Sequence, residues 1–505
     1  MSFKPLSRDS DNNILLPTKS KRSQSALEYM MTYGWAILII VIVAVILYSM
    51  GIFNPSSAIT ASITGFSSLG SVTAQVVPNS GLVLLLGDNS GYDINITNIT
   101  ISMNGKTSTV NPNTLISTTS SSKFFIPFSS IPASSSYSFT VIVHYTEPGQ
   151  PLPGPYISTG KVFGTSTSSS GFYQLITITN SQTTPTPAPF QQMINLSISY
   201  GGWYSVTGMI ASNFQNVEFF SSNGLAVPSW LENYSSSQFI YWVKLQNGIP
   251  ASSSVKVYMV FFPKSYNVLN NVNDGEAPQI PCIEEGITNA SKCSVYAEYD
   301  DGANVFNNYW NFAGTAVPSS MTSSGTVTVD NGVTVSFGGY LTTTTTFTYP
   351  SNIIADFGFT APTANAGDAW YQFGYVSQSG GFTYDSSTAI AWNTYDSPPY
   401  FVSESGAGGS SDFIVHTNFL SGTAPTGSFN VGSVYWGSPS SDSGWINYGN
   451  EITQTTNIPS SALYLGINNN QGDGTAPPVP TLYWLRTRAY PPNGVMPSVS
   501  FGSIA

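Results

Sequence analysis

Three kinds of residue are scarce in this 505-residue chain: charged side chains, at 8% of the total, cysteine, with two, and histidine, with two. Each shortage removes a class of function. Five of the fourteen lysines and arginines (Lys4, Arg8, Lys19, Lys21 and Arg22) lie in the first 23 residues, beside two acids, Asp9 and Asp11; nine basic and 23 acidic groups remain for the rest. A chain of that sign has no basic footprint for phosphate backbones, so nucleic acid is not expected as a partner. The histidines, His144 and His416, stand far apart and leave a Ser-His-Asp triad few candidates, and no Gly-x-Ser-x-Gly elbow occurs. Two sulfurs, Cys282 and Cys293, do not make a zinc site. Outside a cell they suit a disulfide closing one small loop; the alternative is two free thiols.

Scarce charge here does not mean disorder. Apolar residues make up 41% of the chain and aromatics 13%, enough to build packed cores. Low charge with many β-branched and aromatic residues favours strands over helices, and the length leaves room for two or three domains.

One segment breaks this pattern. From Tyr29 to Phe53 there are 25 residues without a charge, and a helix of that length, rising 1.5 Å per residue, spans the roughly 30 Å hydrocarbon core of a membrane. Lys19, Lys21 and Arg22 precede it, which holds that end in the cytoplasm and sends the rest outside. Glu28 sits at the edge of the run, where a carboxylate in low dielectric needs a partner or a solvated headgroup position. Asn54-Pro55 ends the segment.

The order of basic patch, small residue, Gln24-Ser-Ala-Leu-Glu28 and long apolar helix resembles an archaeal type IV pilin, or class III, signal sequence. The resemblance implies cleavage between Ser23 and Gln24 by a prepilin-type peptidase, with Ser23 where the family often has Gly. It implies that Glu28 pairs with the freed amine of a neighbouring pilin subunit during assembly. Membrane lipid is then a partner, and the bulk of the chain is extracellular.

The expected fold is mainly β: a transmembrane helix followed by three β modules. Residues 1–23 are a leader and 24–53 the helix. Residues 54–165 read as a small sandwich, with alternating segments at Leu82–Leu86, Ile94–Met103, Lys123–Phe128 and Tyr137–Val143, and a hairpin signal at Asn104-Gly105. This resembles the β head of archaeal pilins. Residues 166–189 read as a Ser/Thr/Pro linker with one strand candidate, Phe172–Asn180. In residues 190–295 the ordered set Phe190-Gln-Gln-Met-Ile-Asn, Pro228-Ser-Trp-Leu-Glu, Tyr241-Trp-Val-Lys-Leu, Gly248-Ile-Pro-Ala-Ser-Ser and Lys256-Val-Tyr-Met-Val-Phe-Phe is similar to an uncharacterised β-rich family of archaeal and bacterial surface proteins. That family typically precedes a concanavalin A-like module. Residues 296–505 fit one, with strand candidates Ile353–Thr360, Trp370–Val376 and Ala389–Thr394, and a closing strand bearing Arg486 and Arg488 that resembles the last strand of concanavalin A-like jelly rolls.

Jelly rolls of that kind include glycoside hydrolases, and retaining hydrolysis needs two carboxyls about 5 to 5.5 Å apart. The nearest match to the glucanase strand Glu-x-Asp-x-x-Glu is Glu298-Tyr-Asp300-Asp301-Gly302, which lacks its third acid. No catalytic step is therefore expected. Asp300, Asp301 and Asn304 are candidates for Ca²⁺, against a turn that caps itself through the same side chains; no other cofactor is expected. Trp436, Trp445 and Asn447 are the first candidates for a glycan platform, because flat rings stack on sugar C–H faces while amides meet hydroxyls. The bland reading of any such aromatic is core packing. Asn95, Asn98, Asn195, Asn233 and Asn289 begin N-glycosylation triplets. The expectation is a pilin-like surface protein of an archaeon, serving adhesion or glycan recognition as a minor or tip filament subunit, or else as a tethered protein that never polymerises; a carbohydrate-active hydrolase is the third reading.

Overall fold

The computed structural model describes residues 37–42 and, from 61 to 505, all but 67–68, 71, 198–206, 235–237, 271, 281–298, 301, 362–369, 379–386, 394–399, 407–413, 416–426 and 470–478. Two compact units are separated near residue 59. Of the first, residues 37–42 are helical, and all six are apolar and exposed. Among the described residues no helix is long and apolar enough to cross a membrane; most of the expected span 24–53 lies outside them.

The second unit is mainly β, and its described residues form six sheets. They are numbered here in order of packing. Sheet 1 holds Ser62–Gly65, Tyr156–Thr165, Ser136–Thr146, Ile94–Met103 and Lys106–Val110, with Thr114–Ile116 paired to the fourth. Sheet 2 is Val72–Val77, Gly81–Gly87 and Ser121–Pro127. Sheet 3 is Val217–Ser221, Ser253–Phe261, Phe172–Asn180 and Ser498–Ile504. Sheet 4 is Phe190–Ser197, Gln238–Leu245, Ser229–Tyr234 and Asp274–Glu276. Sheet 5 runs Val327–Val329, Val333–Val335, Thr481–Ala489, Ile353–Thr360, Phe429–Ser438, Ser441–Ile446 and Ile452–Gln454, with Asn308–Asn311 paired to the third. Sheet 6 runs Met321–Ser324, Tyr340–Phe347, Leu463–Asn469, Trp370–Val376, Ser387–Asn393, Tyr400–Gly406 and Ile414–Val415.

Strand alternation assigns the faces. In Gly81–Gly87, Leu82, Leu84 and Leu86 join a core with Ile94, Ile99, Val141 and Val143 of sheet 1. Val83, between them, joins Phe125, Phe220 and Val260, across sheets 2 and 3. A strand buried on both faces loses its polar alternation, which is why this one reads Gly-Leu-Val-Leu-Leu-Leu-Gly. Sheet 4 is enclosed in the same way. Phe239, Tyr241 and Val243 face sheet 3, where Tyr241 meets Phe219, while Trp230 and Trp242 face Trp484 of sheet 5. Sheets 5 and 6 close on each other over Phe357, Phe359, Val434, Leu485, Phe373, Leu465 and Ile467, which is the layered architecture of a jelly roll.

Phe172–Asn180, expected inside a linker, is an inner strand of sheet 3, paired with Ser253–Phe261 on one side and Ser498–Ile504 on the other. Its alternation buries Phe172, Ile176 and Ile178. The end of the chain thus leaves the jelly roll and returns to the middle module, and the stretch 166–189 does not act as a tether. The expected hairpin at Asn104-Gly105 is present, with Met103 opposite Lys106 and positive φ at both turn residues (52° and 78°).

Candidate functional site

Two arrangements stand out: a charged joint between sheets 4 and 5, and a polar row on the outer face of sheet 6.

Both sides of the joint are aimed by β-bulges, which let an extra residue turn its side chain across the pleat. In Ser229–Tyr234 the pairing steps from Leu231 opposite Tyr241 to Asn233 opposite Ile240, leaving Glu232 as the extra residue. In Thr481–Ala489 it steps from Trp484 opposite Gly358 to Leu482 opposite Phe359, so Tyr483 and Trp484 both turn toward sheet 4 and are followed on that face by Arg486 and Arg488. Arg486 Nη2 lies 2.6 Å from Glu232 Oε2, and its Nε lies 3.0 Å from Asp356 Oδ2. Arg488 Nε reaches the same Asp356 oxygen at 2.8 Å. Two cations thus meet two anions, with side chains 0–3% exposed. The Arg486 guanidinium also lies 4.3–5.1 Å from the ring centres of Trp230, Trp242, Phe306 and Trp484. Trp242 Nε1 and Tyr448 Oη donate to Glu232 Oε2 at 2.7 and 2.6 Å, and Ser433 Oγ donates to Asp356 Oδ1 at 2.7 Å. Burial by itself would raise the Asp356 carboxyl, but Arg488 and Arg486 outweigh it and hold the group below the ordinary carboxylate range. For Arg486, burial opposes the charge, and Tyr448, Glu232 and Asp356 overcome it, so its proton is held more tightly than usual.

Gly358 completes the joint by absence: a Cβ there would lie 2.1 Å from the Trp484 ring. Gly358→Ala is expected to cost about 1–3 kcal/mol through overpacking and to shift tryptophan fluorescence. An unchanged melting temperature and emission spectrum would show that Trp484 is not held there.

The residues expected to carry function fall in different places. Trp436 is 0% exposed in the core between sheets 5 and 6, against Tyr349 and Tyr375, so it packs the jelly roll and offers no platform for a sugar. Trp445 is buried, at 9%, and stands opposite Ser433, on the face of sheet 5 turned toward sheet 4. Asn447, at φ 51°, accepts from Val431 N at 2.8 Å and donates to Asn430 Oδ1 at 2.9 Å, which ties its turn to the neighbouring strand. Asp300 is a hydrogen-bond hub. Its Oδ1 accepts from Trp230 Nε1 and Gly302 N, both at 3.0 Å; its Oδ2 accepts from Tyr309 Oη at 2.7 Å and Asn311 Nδ2 at 2.6 Å. Burial raises its carboxyl and these bonds offset part of the rise, so both carboxylate oxygens of Asp300 are engaged by protein donors. The main-chain oxygen of Asn304 accepts from Lys244 Nζ at 2.9 Å. Ser23, Gln24, Glu28, Cys282, Cys293 and Asp301 lie outside the described residues.

Residue reading missed the row on sheet 6. Leu341, Phe373, Leu465 and Ile467 point into the core, so alternation turns Thr342, Gln372 and Asn468 to the opposite face. Gln372 stands directly opposite Asn468, and Thr342 lies on the next strand, opposite Gly466. Gln378 Nε2 donates to Thr342 Oγ1 at 3.1 Å, and Gln372 Nε2 to Ser387 Oγ at 3.4 Å. All four of Thr342, Gln372, Ser387 and Asn468 are 0–1% exposed. Asn468 has neither a donor for its Oδ1 nor an acceptor for its Nδ2. The polar members of Leu-Tyr-Leu-Gly-Ile-Asn-Asn (463–469) were the available signal. The row offers hydroxyl and amide groups, the kinds that meet sugar hydroxyls.

No family model matches the chain. Uncharacterized protein 562 of Sulfolobus islandicus rod-shaped virus 1 is 29% identical over 366 residues, 64% of this chain; the chain spans 58% of that relative's length. Among solved structures, LamAcat from Zobellia galactanivorans is similar over 36% of this chain and 97% of its own, at 14% identity and a TM-score of 0.27. A Bacillus licheniformis β-glucanase is similar over 36% and 97%, at 13% identity and a TM-score of 0.25. Likenesses this slight add nothing to the fold read from the sheets and carry no argument about activity.

Proposed function

We propose that this chain is a surface-displayed binding protein, held at a membrane by its N-terminal apolar segment, with the jelly roll recognising glycans through the outer face of sheet 6. The observation that carries the recognition step is Asn468: both polar atoms of its amide are unpaired, and because the side chain is 0% exposed a sugar has to displace what covers it. Buried polar atoms are normally satisfied, and a sugar hydroxyl both donates and accepts, so it can complete the pair. Gln372 and Thr342 beside it extend the same chemistry across three strands. The exposed apolar helix at residues 37–42, inside an uncharged run of 25, supports the membrane role. The resemblance of Lys19–Glu28 to a pilin leader supports processing at Ser23/Gln24 and, through Glu28, a place as a minor or tip subunit of a filament. A tethered protein that never polymerises is the second reading, favoured by the large body, residues 60–505, carried by each anchor. No catalytic step belongs to the proposal.

The full-length chain should bind a subset of a glycan array. Asn468→Ala should weaken that binding about tenfold, the worth of one well-made hydrogen-bond pair, with its melting temperature little changed. Glycan binding that is absent, or identical in Asn468→Ala and Gln372→Ala, refutes the recognition step. N-terminal sequencing of the mature protein tests the leader separately: an intact Met1 end rejects it.

A further inference from the structure

A second buried acid, Asp442, is handled quite differently from Asp356. It lies on strand Ser441–Ile446 of sheet 5, and its spacing from Ile446, which joins the core, turns it toward sheet 6. It is 1% exposed, and neither carboxylate oxygen has a hydrogen bond of acceptable geometry. Gln454 of the neighbouring strand stands directly opposite it. Across the sandwich are Thr388 and Ser405, themselves cross-strand neighbours on sheet 6. Gln454, Thr388 and Ser405 are each 0–1% exposed. Ser405 Oγ donates to Thr456 O at 2.9 Å, which brings a main-chain carbonyl to the same end of the sandwich. Four oxygen-bearing side chains, two from each sheet, thus lie together at this end of the sandwich.

An isolated buried carboxylate is costly, and a protein removes the cost with a cationic side chain, a proton or a metal ion. Asp356 takes the first route with two arginines. No Lys or Arg pairs with Asp442 among the described residues. A proton would cancel the charge but leave a new O–H donor and a carbonyl, both still in need of partners. An ion removes charge and unmet oxygens together. The available ligands are all oxygen, as hard cations prefer, and one carboxylate balances one positive charge; a divalent ion would leave an excess.

We propose that Asp442, with Gln454, Thr388 and Ser405, binds a small monovalent metal cation, Na⁺ or K⁺, inside the jelly roll between sheets 5 and 6. Burial drives the Asp442 carboxyl up to about 7, offset slightly by the Thr388 hydroxyl nearby, so at mildly alkaline pH the ion-free group is mostly charged.

The test compares thermal unfolding of the full-length chain at mildly alkaline pH in choline chloride, NaCl and KCl at equal ionic strength. A ligand that binds only the folded state raises stability with its concentration. The melting temperature should rise saturably with Na⁺ or K⁺, by several degrees over choline, and Asp442→Asn should remove that dependence. Thr388→Val, which keeps the volume, should shift the half-saturating concentration severalfold upward. Crystals grown with Tl⁺ should show an anomalous peak beside Asp442. A melting temperature indifferent to the cation, an equal response in Asp442→Asn, or no such peak overturns the proposal in favour of a protonated carboxyl.

Discussion

Arg486→Ala is expected to destabilise the chain by about 3–5 kcal/mol, the usual result of removing one partner from a buried ion pair. The loss is large because of what remains. Glu232 and Asp356, both at most 1% exposed, would stay in the joint with only Arg488 to balance them. The four rings that surround the guanidinium would also lose their cation. Arg486→Lys should recover little, because one ammonium cannot reach Glu232 and Asp356 with the spread of a planar fork. Replacing the charges together (Arg486→Met with Glu232→Gln) should cost less than Arg486→Ala alone, since no uncompensated anion is left at Glu232. Chemical denaturation of the full-length chain checks the series. A loss below about 1 kcal/mol for Arg486→Ala, the range of an exposed pair, would mean water reaches the joint. Acid should act in the same place. The Asp356 carboxyl is held below its ordinary value of 3.8, so its contribution is complete above that value and is lost as pH falls further.

The second large effect has the opposite sign. Burial raises the Asp442 carboxyl from 3.8 to about 7. Between those values the folded chain keeps a proton that the unfolded chain has released, so stability falls as pH rises through the window and stays low above it. A rise of that size corresponds to about 4 kcal/mol at most. In choline chloride, with no small metal cation to offset the charge, the wild-type chain should therefore lose about 2 kcal/mol between mildly acidic and mildly alkaline pH. Asp442→Asn should show a shallower profile and be the more stable protein at the alkaline end. Parallel profiles for the two chains would show that Asp442 titrates normally and is open to water.

Much of the architecture could be read from residue alternation. Ile353–Thr360 and Trp370–Val376 form over those same residues, because turn signals bound each run and apolar side chains recur at every second position. Pairing across a long separation left no such trace. Nothing local in Phe172–Asn180 says that its neighbour lies more than 300 residues later. The aromatic candidates failed for a related reason. Trp436 and Trp445 sit on opposite faces of sheet 5, and both faces are covered, one by sheet 6 and one by sheet 4; from sequence neither face could be identified as the covered one. The joint was half visible. In a chain with 8% charged residues, acids and arginines inside apolar strands are conspicuous, and Glu232, Asp356, Arg486 and Arg488 all lie in such strands. That they meet depends on two bulges, and in strands buried on both faces the break in alternation that a bulge makes does not show.

The returning C-terminal strand also decides how the molecule would respond to mechanical load. Ala505 and Tyr173 exchange two main-chain hydrogen bonds of 3.0 Å at the end of the ribbon where Phe172–Asn180 begins. Tension drawn between a cargo fused at Ala505 and the amino-terminal side would therefore meet those bonds one pair at a time, opening the ribbon as a zipper opens instead of loading every rung at once. The sandwich of sheets 5 and 6 would stay slack until Ser498–Ile504 had peeled away, so fusion at this end should yield at low force while the distal lobe is still folded.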